Sequence, residues 1–268
     1  MVKESTKKTF AVATALCVVC AVIVSVSDVA LKGLQQQNKA LDRQINVLRA
    51  AGSVLYDQKI TAKEAQERFK NVQIVVVDLT TGQIVRDVDT DAALKDKKNV
   101  VVLKKEEDVA GIKTIPKYAE AYLFKDDSGA LRNVVLPVQG TGLWSTLRGF
   151  VSLDEKLEKI GRIVFYEHGE TPGLGGEISN PNWLKKWENK KAFDESGAPI
   201  ICVVKGAVNP ESSNAESQVD GISGATLTGD GVTRTVQFWL GEKGYGRFLQ
   251  KLREGAVDLR DGATSNEG

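Results

Sequence analysis

The chain is 268 residues long, with 36 basic and 35 acidic side chains and a formal net charge of +1. That length can bury a full core in one large or two small domains, and the balanced charge gives no case for a nucleic-acid partner. Three cysteines, two of them (Cys17 and Cys20) inside an apolar run, exclude a disulfide scaffold, and without a C-x-x-C…C-x-x-C or His-rich pattern they supply no metal or iron–sulfur site.

After Lys3, Lys7 and Lys8 comes an uncharged, mostly apolar run over 9–27 that continues, apart from Asp28, to Leu31. It meets the roughly 20 residues that a membrane-spanning helix needs. Ser25-Val26-Ser27 has the small-residue spacing of a processing site, so a cleaved signal peptide is the alternative. Leu34, Leu41, Ile45 and Leu48 carry the helical stripe onward, which favours one long uncleaved anchor. The expected division is a short tail over 1–8, a membrane span over 9–31, a juxtamembrane helix over 32–50 and a folded domain over 51–268. Lys32, Lys39, Arg43 and Arg49 balance the lysines in front, so charge alone does not set the orientation.

Thr61-Ala-Lys-Glu64 is a capping box that opens a short helix to about Phe69. Residues 72–79 are β-branched and end at Thr81-Gly82, a strand with its turn. Residues 87–117 are charged and irregular around Lys104-Lys105-Glu106-Glu107-Asp108, and read as a solvated insertion on the domain surface. Strands are expected at 119–124 and 132–138, joined by a turn at 126–129, and again at 162–167 and 200–205. Closing helices are expected at 226–240 and 245–253. Strands in the middle and helices at the ends predict an α+β domain with a mainly antiparallel sheet, against a doubly wound parallel one.

Three segments carry candidate chemistry. Pro137-Val-Gln-Gly140-Thr-Gly142-Leu143-Trp144-Ser145 sets a tryptophan among glycines, suited to stacking on a flat ring or to a place in the core. Glu167-His168-Gly-Glu170-Thr171-Pro172-Gly173-Leu174-Gly175-Gly176-Glu177 follows a strand. Its glycines make either a surface turn or a loop whose backbone approaches a ligand closely. It matches neither G-x-G-x-x-G nor the P-loop, so nicotinamide or ATP binding there is unsupported.

The third segment, Asp220-Gly-Ile-Ser223-Gly224-Ala225-Thr226-Leu-Thr228, leads into the apolar helical face of Val232, Val236, Trp239 and Leu240. A helix beginning near Thr226 turns its free N–H groups and positive dipole end toward any phosphate held there. Gly224 and Ala225 present no bulky side chain to block it. Two rivals stand beside this reading. Gly221-Ile-Ser223-Gly224-Ala225 is one residue short of a G-x-S-x-G nucleophile elbow, in which Ser223 would have to use His168, the sole histidine. Ser223 or Thr226 can also be a plain N-cap, and the chain then a non-catalytic anchored binding module.

In this order behind one N-terminal anchor, Pro-x-x-Gly-x-Gly-Leu-Trp, Glu-Thr-Pro-Gly-Leu-Gly-Gly-Glu and Asp-Gly-x-Ser-Gly-Ala-Thr-Leu-Thr resemble the C-subunit family of the bacterial Na(+)-translocating NADH:quinone oxidoreductase. The likeness runs from the anchor to the closing Phe238-Trp239-Leu240-Gly241 and is weakest over 87–117. It implies one FMN per chain, joined by its phosphate to Thr226, with Ser223, Gly224 and Ala225 forming the turn. Asp220 is then the motif's upstream acidic residue, orienting the Thr226 hydroxyl or helping to bind metal during attachment. Leu143, Trp144, Ser145, Glu170, Thr171, Leu174 and Gly175 would wall the isoalloxazine pocket, with no resident metal and no catalytic group beyond the flavin. The resemblance further implies a flavin transferase for maturation, and other membrane and flavoprotein subunits that pass electrons from NADH to ubiquinone and drive Na+ outward. It places the domain on the periplasmic side of a bacterial inner membrane and residues 1–8 in the cytoplasm. The G subunit of the related Rnf ferredoxin-linked complex is the nearest alternative. Its members are generally shorter and carry Asp-Lys where this chain has Gly176-Glu177. A membrane-anchored serine hydrolase built on Ser223 and His168 is the alternative of another class.

Overall fold

The structure is a computed structural model that describes residues 6–85, 96 and 98–256. It divides into two compact units, Met1–Arg43 and Gln44–Gly268. The first is helical throughout its described part. Helix α1 (Thr6–Ala50) runs unbroken for 45 residues. It contains an 18-residue window of mean hydropathy 2.6 with nothing buried, long and apolar enough to cross a membrane. Phe10, Val12, Leu16, Val18, Val22 and Val24 are exposed on all sides of it, so its apolar surface runs right round the helix, as a membrane span's does.

The second unit takes in the end of α1, where Val47, Leu48 and Ala50 are buried. The last carbonyls of a helix lack partners within it; here the backbone N–H groups that follow take those of Val47, Leu48 and Arg49, and basic and polar side chains take that of Ala50 and those of the turn behind it. Ser152 Oγ donates to Ala50 O at 2.7 Å, Arg132 Nη2 and Asn133 Nδ2 to Ala51 O, and Arg162 Nη1 to Val54 O. Helix α2 (Ala62–Phe69) follows with the expected capping box between Thr61 and Glu64.

The core is one antiparallel sheet of six strands in the order β2-β1-β5-β6-β7-β8. These are β1 (Val72–Asp78), β2 (Gln83–Ile84), β5 (Tyr118–Lys125), β6 (Leu131–Thr141), β7 (Thr146–Leu153) and β8 (Ile160–Glu167); β3 (Val100–Val102) and β4 (Thr114–Pro116) form a separate hairpin. Leu123, Leu136, Phe150 and Ile163 fill the interior. Helix α4 (Thr226–Leu240), preceded by the short α3 (Pro181–Leu184), lies on β6, and α5 (Gly246–Arg253) closes the described chain. The approach of α4 to β6 depends on a glycine: a β-carbon on Gly140 would sit 1.9 Å from Thr235 Oγ1. Trp239 Nε1 donates to Gln139 O at 2.6 Å and Tyr245 Oη to Glu120 O at 2.8 Å, tying the helices to the sheet.

Two expectations are corrected. Residues 200–205 are not a full strand: only Cys202–Val203 (β9) pairs, in parallel, with Gln218–Val219 (β10). Side chains of α4 satisfy the flanking backbone instead, Gln237 Nε2 donating to Ile201 O and Thr233 Oγ1 accepting from Val203 N. The charged insertion is also more than a solvated surface loop. Residues 86–95 and 97 lie outside the described residues, but within 98–117 Leu103, Ala110 and Ile115 are buried. Thr141 N donates to Ala110 O at 2.8 Å and Lys243 pairs with Glu107 at 2.9 Å. A few apolar residues scattered among many charges were enough to seat it.

Candidate functional site

Helix α4 begins at Thr226, and its N-cap is Ala225, which offers no side-chain acceptor to the first N–H groups. Neither Ser223 nor Thr226 caps the helix, so the plain capping expectation does not hold. Ser223, Gly224 and Thr226 are exposed while Ala225 is buried. Gly224 has φ +72, the left-handed region that glycine enters without strain. A hydroxyl is thereby presented at the open, positive end of a 15-residue helix. Beside it a narrow cleft of about 40 Å³ runs between Lys205-Gly206 and the first turn of α4.

The other two motifs meet this turn. Leu174 Cδ2 would lie 2.9 Å from a β-carbon on Gly224. Glu170, which the sequence places in the pocket wall, is 5% exposed and works behind the surface. Its Oε1 accepts from the backbone N–H of Trp144 at 3.0 Å and of Ser145 at 3.2 Å, and from Ser145 Oγ at 3.4 Å. Its Oε2 accepts from Leu143 N at 3.2 Å and from Thr228 Oγ1 at 2.7 Å. Burial pushes the Glu170 carboxyl up, but these hydrogen bonds outweigh it and hold the group below the usual carboxylate range. Gly175 is likewise a packing residue: a β-carbon there would lie 2.6 Å from Thr228 Oγ1.

The loops so held expose apolar surface. Trp144 is 72% exposed, Leu174 44% and Leu143 43%, and Thr171 is exposed as well. An exposed hydroxyl at free helical N–H groups, with uncovered apolar side chains on the adjoining loops, fits a ligand with a phosphate end and a flat apolar body.

Asp220 does not reach for Thr226. Its Oδ2 takes the Lys186 ammonium at 2.6 Å and its Oδ1 the Val208 N–H at 2.8 Å, which together hold its carboxyl below the ordinary range. Trp183 Nε1 donates to its carbonyl at 2.8 Å. Asp220 thus pins the strand that delivers the turn. The Nδ1 of His168 accepts from Glu170 N at 3.4 Å, and among the described residues no hydrogen bond joins it to Ser223. Sequence reasoning did not assign roles to Thr228 and Lys186. Thr228 had a signal, since a hydroxyl buried on an apolar helix face requires a partner; Lys186, distant in sequence, had none.

A family model described as FMN-binding domain matches residues 142–241, which span Leu143–Ser145, the Glu170–Gly175 loop and Thr226. The C subunit of the Na(+)-translocating NADH-quinone reductase of Yersinia pestis is 41% identical over 259 residues, covering 95% of this chain and 96% of that one. Its Pseudomonas aeruginosa counterpart is 42% identical, with 94% and 98% covered. The crystal structure of NqrC from Shewanella oneidensis superposes with a TM-score of 0.70 at 37% identity, covering 81% of this chain and 99% of that one.

Proposed function

The chain belongs to the C-subunit family of the Na(+)-translocating NADH-quinone reductase, and on that premise we propose that it holds one FMN covalently, by a phosphoester bond to Thr226. As a flavoprotein subunit of an oxidoreductase complex it is neither a serine hydrolase nor the G subunit of the Rnf complex. The observation that carries the proposal is the exposed Thr226 hydroxyl at the head of α4, behind an N-cap that leaves the helical N–H groups free.

FMN supplies reversible electron uptake and release, and the chain's task is to hold and tune it. The Thr226 oxygen fixes the phosphate. The turn of Ser223, Gly224 and Ala225 and the first N–H groups of α4 balance the single negative charge of a phosphodiester. Leu143, Trp144 and Leu174 flank the ring's apolar part, and Ser145 and Thr171 stand at its edge. A tethered flavin cannot leave, which suits a relay between neighbouring subunits. In this reading a flavin transferase installs it, α1 anchors the chain in the inner membrane, and residues 1–8 face the cytoplasm. The domain lies on the periplasmic side, within a complex that oxidises NADH, reduces ubiquinone and moves Na+ outward.

Peptide mass spectrometry tests the attachment. Cleavage at Lys205 and Arg234 releases a tryptic peptide over 206–234, expected to be heavier by FMN less one water, with fragmentation placing the mass on Thr226. An unmodified peptide from protein matured with an active transferase would refute the linkage.

A further inference from the structure

The Glu170 carboxylate sits in a cage made only of donors. Three backbone N–H groups and the hydroxyls of Ser145 and Thr228 all point at its two oxygens. Two glycines keep the cage open. A β-carbon on Gly142 would lie 2.5 Å from Oε1, and one on Gly175 would lie 2.9 Å from Oε2. An all-donor cage selects the ionised carboxylate, because a neutral amide would turn its own N–H groups toward donors. Among the described residues no lysine, arginine or histidine forms an ion pair with Glu170. The anion is therefore uncompensated by a cation, and it is not idle packing. It fastens the turn bearing Leu143 and Trp144 to Thr228, two residues along α4 from Thr226.

We propose that Glu170 is the positioning residue of the flavin site: it locks the Leu143–Ser145 turn onto the first turn of α4, and its fixed negative charge lowers the reduction potential of the flavin held there. The inference rests on FMN being attached at Thr226. A negative charge beside a group that takes up electrons opposes the added charge, more strongly where little water screens it. Geometry and charge thus act through one side chain.

The test uses the full chain, co-expressed with a flavin transferase, as wild type, Glu170→Gln, Glu170→Asp and Thr228→Val. Fluorescence on a denaturing gel reports attachment, a dye-equilibrated titration reports the midpoint potential, and amide exchange over 143–145 reports the lock. Glu170→Gln is expected to keep covalent flavin, exchange faster over 143–145 and show a more positive potential. Glu170→Asp and Thr228→Val keep the charge while loosening the lock, so each should change the potential less than Glu170→Gln does. An unchanged potential in Glu170→Gln overturns the charge effect, as does an equal rise in Thr228→Val, which would trace it to loop geometry. Wild-type exchange in Glu170→Gln overturns the lock. A dark wild-type band refutes the flavin placement and the charge effect together, while exchange still decides the lock.

Discussion

Leu174 rests against Gly224: its Cδ2 lies where only 2.9 Å would separate it from a β-carbon on that glycine. The glycine-rich loop and the turn before α4 therefore meet through the end of a half-exposed side chain. Because Gly224 has φ +72, Gly224→Ala meets a left-handed backbone costing roughly 1–2 kcal/mol, and it also pushes the half-exposed Leu174 side chain from its place over the turn. It should displace the turn and sharply reduce flavin loading while the sheet stays folded. Circular dichroism together with bound-flavin absorbance checks this, and full loading would show that the turn has slack.

Leu174→Ala should leave the phosphoester bond intact, since it alters neither the Thr226 hydroxyl nor the backbone of the turn that presents it. Opening the ring's apolar side to water should then shift the flavin's potential. A titration that returns the wild-type midpoint would remove Leu174 from the ring's surroundings.

Gly140→Ala tests how α4 is seated. The added methyl would lie 1.9 Å from Thr235 Oγ1 and 2.8 Å from its Cβ, in a buried contact with nowhere to move. Overpacking of this kind costs about 1–3 kcal/mol, and thermal unfolding should show a lower Tm. Wild-type stability would mean that β6 and α4 can separate without cost.

Acid should weaken the site through Asp220. The Lys186 ammonium and the Val208 N–H hold its folded-state pKa below the ordinary value. The stabilisation is thus complete above the unfolded-state pKa of about 3.9 and fades as pH falls below it. Both Asp220 and Lys186 are partly exposed, so the effect is modest. In Tm measured against pH, Asp220→Asn should flatten the acid limb relative to wild type, and parallel limbs would contradict the assignment.

Much of this was legible in the sequence where local signals dominate. The Val72–Asp78 run, the Thr61–Glu64 box and the apolar face of Thr226–Leu240 each announce one element. The three motifs could be read as parts of one site, but not how they are joined. The Glu170–Thr228 bond spans 58 positions and follows from the tertiary fold alone. For that reason Glu170 was expected to wall a ligand pocket and is instead buried beneath the Leu143–Ser145 turn. β7 (Thr146–Leu153) went unread because it starts directly behind the glycine-rich Trp144 turn and is buried over its last five residues, leaving no alternation to see. At 200–205 the β-branched run was legible, but the α4 side chains that satisfy its backbone were not.

The central claim is that Thr226 carries the flavin. The most direct measurement is in-gel fluorescence of the full chain, co-expressed with a flavin transferase, denatured, and run beside Thr226→Val, which removes one hydroxyl at nearly constant volume. A fluorescent wild-type band next to a dark, correctly folded variant is the predicted result. Covalent fluorescence that persists in Thr226→Val, or a dark wild-type band when the transferase labels a control substrate, would contradict it.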